Sequence, residues 1–204
     1  MTNNKPFLSP DLVQRIQKAS TALQIDACAM QALIIVETSG NGFIPNTDRP
    51  KILFEGHVFY RCLARYGKDA AAISVKFPTL CHKKQTFVHY KGGLSEWDRL
   101  LEARVIDRDC ADMAASWGLF QVLGENYQWL GYPDVQTFVK NNLTMDGQFE
   151  IGMKFIERSG VLEKLRSLDW RGVALRYNGP NGVKNGYDQK LKVEHERCQI
   201  CLTK

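Results

Sequence analysis

Helix punctuation constrains this chain more than any other feature of its sequence. Ser9-Pro10-Asp11 reads as a helix start, with serine as N-cap, proline at the first helical position and an acid in the first turn. Leu12, Ile16, Ala19 and Leu23 then recur at helical spacing. Asp26 caps a second helix over about Ala27 to Glu37, and the glycines of "SGNGF" stop it. "EGHVFYRCLARYG" predicts a helix ending at Gly67, and "LSEWDRLLEARVID" another with Ser95 as N-cap. "NYQWLGYPDVQTFVKNNL" gives a short helix, a Gly-Tyr-Pro break and a further helix. "DGQFEIGMKFIERSGVLEKLRSLDW" reads as two helices split at Ser159-Gly160. "DWRGVALRYNGP" is a helix stopped at Asn178-Gly179-Pro180, and "NGYDQKLKVEHERCQICL" starts a last one. Residues 68–94 are loop-like and carry no clear period. Neither repeats nor low-complexity linkers interrupt this series, so the expectation is one mainly α domain over 1–204.

The chain has 204 residues, enough to bury a substantial core, and its 44% hydrophobic and 24% charged residues are ordinary for a globular protein. The net charge of +5 suits an anionic polymer such as cell envelope. Its basic residues are scattered rather than clustered, so nucleic acid is not expected as a partner. No 18-residue apolar stretch is present, so no stable membrane insertion is expected. "MTNNKPFLSPDL" has no apolar leader region, which predicts no signal peptide and a cytoplasmic start. Six cysteines in such a compartment read as reduced thiols, with disulfides open to form after release. Cys198-Gln-Ile-Cys201 is a lone CxxC without a second ligand pair, and no HExxH is present, so no metal is expected.

The run Ala32-Leu33-Ile34-Ile35-Val36 ends in a single acid, Glu37, just before a glycine turn. Taken alone, a lone acid at a helix end is most often a surface charge. Cleaving a glycosidic bond, however, needs a carboxyl that stays protonated near neutral pH. Burial beside apolar groups raises a carboxyl pKa, and the negative end of the helix dipole pushes the same way. Two more strings add polar groups of the kind a glycan needs. "SWGLFQV" combines Ser116, a permissive Gly118 and the amide of Gln121, and "LRYNGP" puts Tyr177 and Asn178 at a helix end.

Glu37-Thr38-Ser39-Gly40, Ser116-Trp117-Gly118-Leu119-Phe120-Gln121 and Tyr177-Asn178-Gly179, in this order, resemble the lysozyme-like superfamily of goose-type lysozymes and lytic transglycosylases. More specifically, "RPKILFEGHVFYR" and "SWGLFQVLGENY" resemble the N-acetylmuramidase family of phage endolysins, over about residues 10–195. The resemblance implies a lysozyme-like catalytic domain with no separate cell-wall-binding domain. A short β-hairpin near residues 44–54 is compatible with the sequence there.

The resemblance further implies hydrolysis of peptidoglycan between N-acetylmuramic acid and N-acetylglucosamine, without a cofactor, by a monomer that acts on the wall after release. Glu37 matches the family's catalytic acid and Glu55 a second characteristic carboxylate. Asp48 stands in "TDRP", where the family usually has Asp-Gly-Arg-Pro. Glu55 has three open roles. As general base it would stand roughly 6.5–9.5 Å from the acid, as nucleophile about 5–5.5 Å. As a structural acid it would hold a backbone N–H or an arginine. Ser116, Gln121, Tyr127, Tyr177 and Asn178 are the expected glycan-positioning residues, with Glu102 and Glu125 as weaker acidic candidates. A lytic transglycosylase, which needs one acid only, and a non-catalytic peptidoglycan-binding module are the alternatives.

Overall fold

The computed structural model describes residues 8–86 and 88–202. The reading of the N-terminal stretch as lacking a leader falls mostly on residues 1–7, outside the described residues. In chain order the elements are α1 (Pro10–Leu23), α2 (Ala27–Thr38), β1 (Ile52–Phe54), α3 (Gly56–Arg65), α4 (Ala70–Lys76), α5 (Leu94–Ile106), α6 (Arg108–Met113), β2 (Ala115–Trp117), β3 (Val122–Leu123), α7 (Val135–Asn142), α8 (Met145–Arg158), α9 (Val161–Arg166), α10 (Trp170–Lys184) and α11 (Tyr187–Leu202). A 3₁₀ turn occupies Gly124–Asn126. The chain is mainly helical, as the punctuation predicts.

Two compact units divide the chain. One is built from both ends, up to Asn41 and from Gly152 on, and the other from the intervening Gly42–Ile151. Helix α8 carries the chain from the second into the first.

In the end-built unit, Ser9 accepts a hydrogen bond from the Leu12 N–H at 3.3 Å, and Asp26 accepts one from the Cys28 N–H at 2.6 Å. These are the caps the sequence announces. Helix α2 is apolar nearly all round and accordingly buries Cys28, Ala29, Met30, Ala32, Leu33 and Ile34. Helix α11 lies against it. His195 and Gln199 of α11 reach Asp26 at 3.3 and 2.9 Å, and a disulfide joins Cys28 to Cys198. The expectation of reduced thiols is thus corrected for this pair, which the fold brings to a Cα–Cα distance of 5.5 Å. Cys62, Cys81, Cys110 and Cys201 are free. Helix α10 does not stop at Asn178-Gly179-Pro180 as expected. It breaks at Gly179 (φ 65°, ψ −167°) and resumes from Pro180, a residue suited to a helix's first turn.

In the inserted unit, β1, β2 and β3 form an antiparallel sheet in that order, with Leu53 opposite Ser116 and Ser116 opposite Leu123. The expected hairpin near 44–54 is present only as a bridge, Phe43 with Pro50. Strand β1 pairs instead with the distant β2. The other edge of β1 is satisfied by side chains. Buried Glu96 accepts from the Phe54 N–H (3.1 Å) and buried Arg99 donates to the Phe54 carbonyl (3.0 Å), while the two side chains pair at 2.8 Å. Helix α5 begins earlier than expected, with Gly93 rather than Ser95 at its N-cap, and Glu96 stands third in the helix. Phe54, Phe59, Leu63, Leu100, Trp117, Phe120 and Phe138 fill the core of this unit. Among the described residues of 68–94, α4 is the one complete helix, and Leu94 begins α5.

Candidate active site

Glu37 is the penultimate residue of α2, and its side chain meets two residues from the other end of the chain. Tyr187, the first residue of α11, donates its hydroxyl hydrogen bond to Glu37 Oε1. Asn178, at the break in α10, hydrogen-bonds to the same carboxyl. Tyr177 stacks on Tyr187, their ring centroids 6.4 Å apart and their planes 16° apart. Phe155 closes on Tyr177 edge-on at 5.2 Å. The enclosure decides the acid's charge. Burial outweighs the two hydrogen bonds that favour the anion and raises the Glu37 pKa from 4.5 to about 7. The carboxyl therefore holds a proton into the neutral range, which is the property a general acid requires. Burial and the neighbouring Glu37 charge push Tyr177 and Tyr187 well above the ordinary phenol range, so both remain neutral donors.

The geometry follows from the two breaks in regular structure. Ser39 leaves α2 in the left-handed region at φ 58° and Gly40 follows at φ 76°, ending the helix right after the acid. The kink at Gly179 ends the first part of α10 at Asn178, so this side chain sits at a helix end rather than inside one.

Glu55 belongs to the inserted unit. It follows β1, its N–H bonded to the Ala114 carbonyl at 2.9 Å, and it stands at the N-cap of α3 without capping the helix through its side chain. Ser116 of β2 donates its hydroxyl to Glu55 Oε1 at 3.4 Å, and His57 Nε2 lies 3.7 Å from Oε2. Burial raises the Glu55 pKa, opposed by the Ser116 hydrogen bond and by Arg61. Burial and Arg61 lower that of His57. The neighbouring Glu125 does not cap a helix. It accepts a 2.5 Å bond from Arg61 and lies 3.7 Å from Arg65, so from the 3₁₀ turn it pairs with two arginines of α3.

The structure thus gathers Glu37, Tyr177 and Asn178 in one unit and Glu55 and Ser116 in the other. Among the expected glycan contacts, Gln121 is engaged within the protein. The Gln121 amide donates to the carbonyls of Gly118 (2.8 Å) and Lys51 (3.3 Å), closing the tight β2–β3 turn instead of reaching outward. Tyr127 follows the 3₁₀ turn, partly buried, and its ring lies near Tyr66. Glu102 and Asp48 are exposed.

Two residues escaped the sequence reading. Tyr187 sits in "NGYDQ" with no motif around it, and only the pairing of α2 with α11 reveals it. Gln148 is buried and holds the Gly118 loop: its Oε1 accepts from the Leu119 N–H at 2.8 Å and its amide donates to the Asn142 and Gly42 carbonyls. A buried glutamine inside an amphipathic helix period was the available signal. Among the described residues no group of three or more His, Cys, Asp or Glu side chains is arranged to hold a metal.

A mainly helical fold with a three-stranded sheet and a glutamate of raised pKa at the end of a buried helix is that of the lysozyme-like class. Comparison narrows it. The sequence profile of the N-acetylmuramidase family matches residues 26–199, and the chain belongs to that family. The structure is similar to one titled "Crystal structure of Burkholderia AP3 phage endolysin", with 36% identity and a TM-score of 0.79, over 97% of this chain and 73% of the other. No curated protein matches the sequence.

Proposed function

We propose that this chain is a peptidoglycan hydrolase that cuts the glycan between N-acetylmuramic acid and N-acetylglucosamine, with Glu37 as the general acid. The observation that carries the reading is the Glu37 carboxyl, held by Tyr187 and Asn178 and raised by burial to a pKa of about 7. Protonated Glu37 gives its proton to the glycosidic oxygen as the bond breaks, and positive charge spreads onto the sugar ring. Asn178 and Tyr177, beside that carboxyl, orient the glycan through amide and ring contacts. Glu55 is the second carboxylate, held by Ser116, and it acts on water or on the developing positive charge. No cofactor enters this chemistry. The likeness to a phage endolysin supports the same occupation here: synthesis in a host cell and action on its wall after release.

The test is mass spectrometry of products from purified peptidoglycan digested in isotopically labelled water. Reducing-end muramic acid carrying the label is the expected product. Glu37→Gln keeps the shape and removes the proton, and is expected to lower turnover by about 10²–10⁴-fold with an unchanged circular dichroism spectrum. Undiminished turnover in that variant would remove Glu37 from the mechanism. Anhydro-muramic ends, with Glu55→Gln as active as wild type, would mean a transglycosylase.

A further inference from the structure

Ser116 donates to one oxygen of the Glu55 carboxyl, Oε1. At the other, Oε2, stands His57 Nε2, 3.7 Å away and just outside hydrogen-bond range. The two side chains are 18% (His57) and 17% (Glu55) exposed, so the pair is largely shielded from water. Gly56 lies between them in sequence and has no room for a side chain. A Cβ there would lie 2.5 Å from His82 Nε2 and 2.6 Å from the Leu80 carbonyl. His82 is fixed in turn, its backbone N–H on the Gly56 carbonyl (3.3 Å) and its Nδ1 on the Lys84 carbonyl (2.7 Å). Its ring stacks on that of His57, centroids 6.4 Å and planes 22° apart. A second imidazole therefore backs the one that faces Glu55.

These surroundings choose where His57 carries its proton. Nδ1 is buried and has no hydrogen-bond partner among the described residues. A proton there would be a buried donor without an acceptor, and it would turn the Nε2 lone pair towards a carboxylate. A proton on Nε2 avoids both costs. His82 does not change this balance. Its Nδ1 must carry hydrogen to donate to Lys84, and its bare Nε2 is also unpartnered, so no hydrogen bond joins the two rings. The imidazolium would again leave an unpaired donor at Nδ1. Burial, Arg61 of the same helix and the His82 ring oppose that cation, against Glu55 and Glu125 on the other side, and the ring is held neutral.

We propose that His57 is a positioning residue for Glu55, fixing Oε2 with a neutral Nε2–H while Ser116 fixes Oε1. The role rests on the reading of Glu55 as the second carboxylate. It goes beyond that reading in naming what sets the carboxylate's angle towards water or the sugar. A neutral donor orients the carboxylate without offsetting its charge, whereas an imidazolium would compete with the developing positive charge on the sugar. Hydrogen bonds of this kind are often long before substrate binds and tighten in the complex, so 3.7 Å is the resting separation.

Two measurements on the full chain test this. In protein labelled with nitrogen-15 histidine, the His57 ring signals are assigned by their loss in His57→Gln. They are expected to show the Nε2–H tautomer at neutral pH, and the Nδ1–H tautomer or the cation would overturn the proposal. Turnover of purified peptidoglycan is then compared among wild type and three variants. His57→Gln sets an amide N–H where Nε2 stands, His57→Asn sets one where Nδ1 stands, and His57→Phe keeps only a ring. His57→Phe and His57→Asn are expected to lower kcat by up to about 10²-fold with KM little changed, and His57→Gln to stay within a few-fold of wild type. A ring that merely packs against His82 gives the opposite order, with phenylalanine the best replacement, and that order would overturn the role. If His57→Phe does not fold by circular dichroism, His57→Asn against His57→Gln carries the same comparison. Glu55→Gln, assayed alongside, keeps the two readings apart. An impaired Glu55→Gln with a fully active His57→Phe overturns the His57 role alone. A fully active Glu55→Gln, or a wild type that cuts no glycan, removes the reading of Glu55 and the His57 role with it.

Discussion

A carboxyl raised to about 7 has consequences that can be measured separately from turnover. Tyr187 favours the Glu37 anion by donating to it, so its removal should raise the acid's pKa further. In Tyr187→Phe the alkaline limb of the kcat/KM profile, expected near pH 7 in the wild type, should move to higher pH. An unmoved limb would mean that another group sets it. Stability carries the same signature with a definite sign. Below pH 4.5 the carboxyl is protonated folded and unfolded alike. Between 4.5 and about 7 the unfolded chain ionises first, so the fold loses stability as pH rises, and above about 7 the full cost is present. Glu37→Gln should therefore match wild type in urea unfolding at pH 4 and exceed it at pH 9, by at most about 3 kcal/mol. Equal stability at both pH values would argue that the carboxyl is better solvated than its surroundings suggest.

Elements, by contrast, owe much of their placement to residues with no catalytic part. The β2–β3 turn depends on Gly118 at φ 68°, where an added Cβ would lie 2.7 Å from the Gln148 side chain and 2.8 Å from Asn142 Oδ1. Gly118→Ala combines backbone strain with a clash against buried polar groups. It should destabilise by on the order of 2–4 kcal/mol, read as a lower urea midpoint at constant slope. An unchanged midpoint would show that Gln148 moves aside at no cost. The same elements explain what could be read from the chain. The caps at Ser9 and Asp26, the end of α2 and the split at Ser159-Gly160 rest on contacts within a few residues, and local chemistry announces them. The pairing of β1 with β2 spans more than sixty residues of sequence, and Glu96 and Arg99 complete β1 from yet another segment, so no local pattern carries it. In the candidate site likewise, Glu37 and Asn178 stood out by motif. Tyr187 and the turn-closing part of Gln121 depended on partners that periodicity does not name.

At the scale of the whole molecule, one unit is interrupted in sequence by the other, and its two halves have to find each other across the insertion. Cys28–Cys198, with a separation of 170 residues, joins those halves. Closing so long a loop removes chain entropy from the unfolded state worth about 5 kcal/mol in the simplest treatment. Cys198→Ser should lower the unfolding free energy by up to that amount. A variant as stable as the oxidised wild type would assign the pairing of α2 with α11 to packing and to the Asp26 contacts alone. The bond also changes the topology of the covalent molecule. Between Cys28 and Cys198 the polypeptide is a ring, so one peptide-bond cut inside it opens the ring without dividing the molecule. A protease-nicked chain should migrate as one band until reductant is added and as two fragments afterwards, and only a second cut in the ring would release a piece.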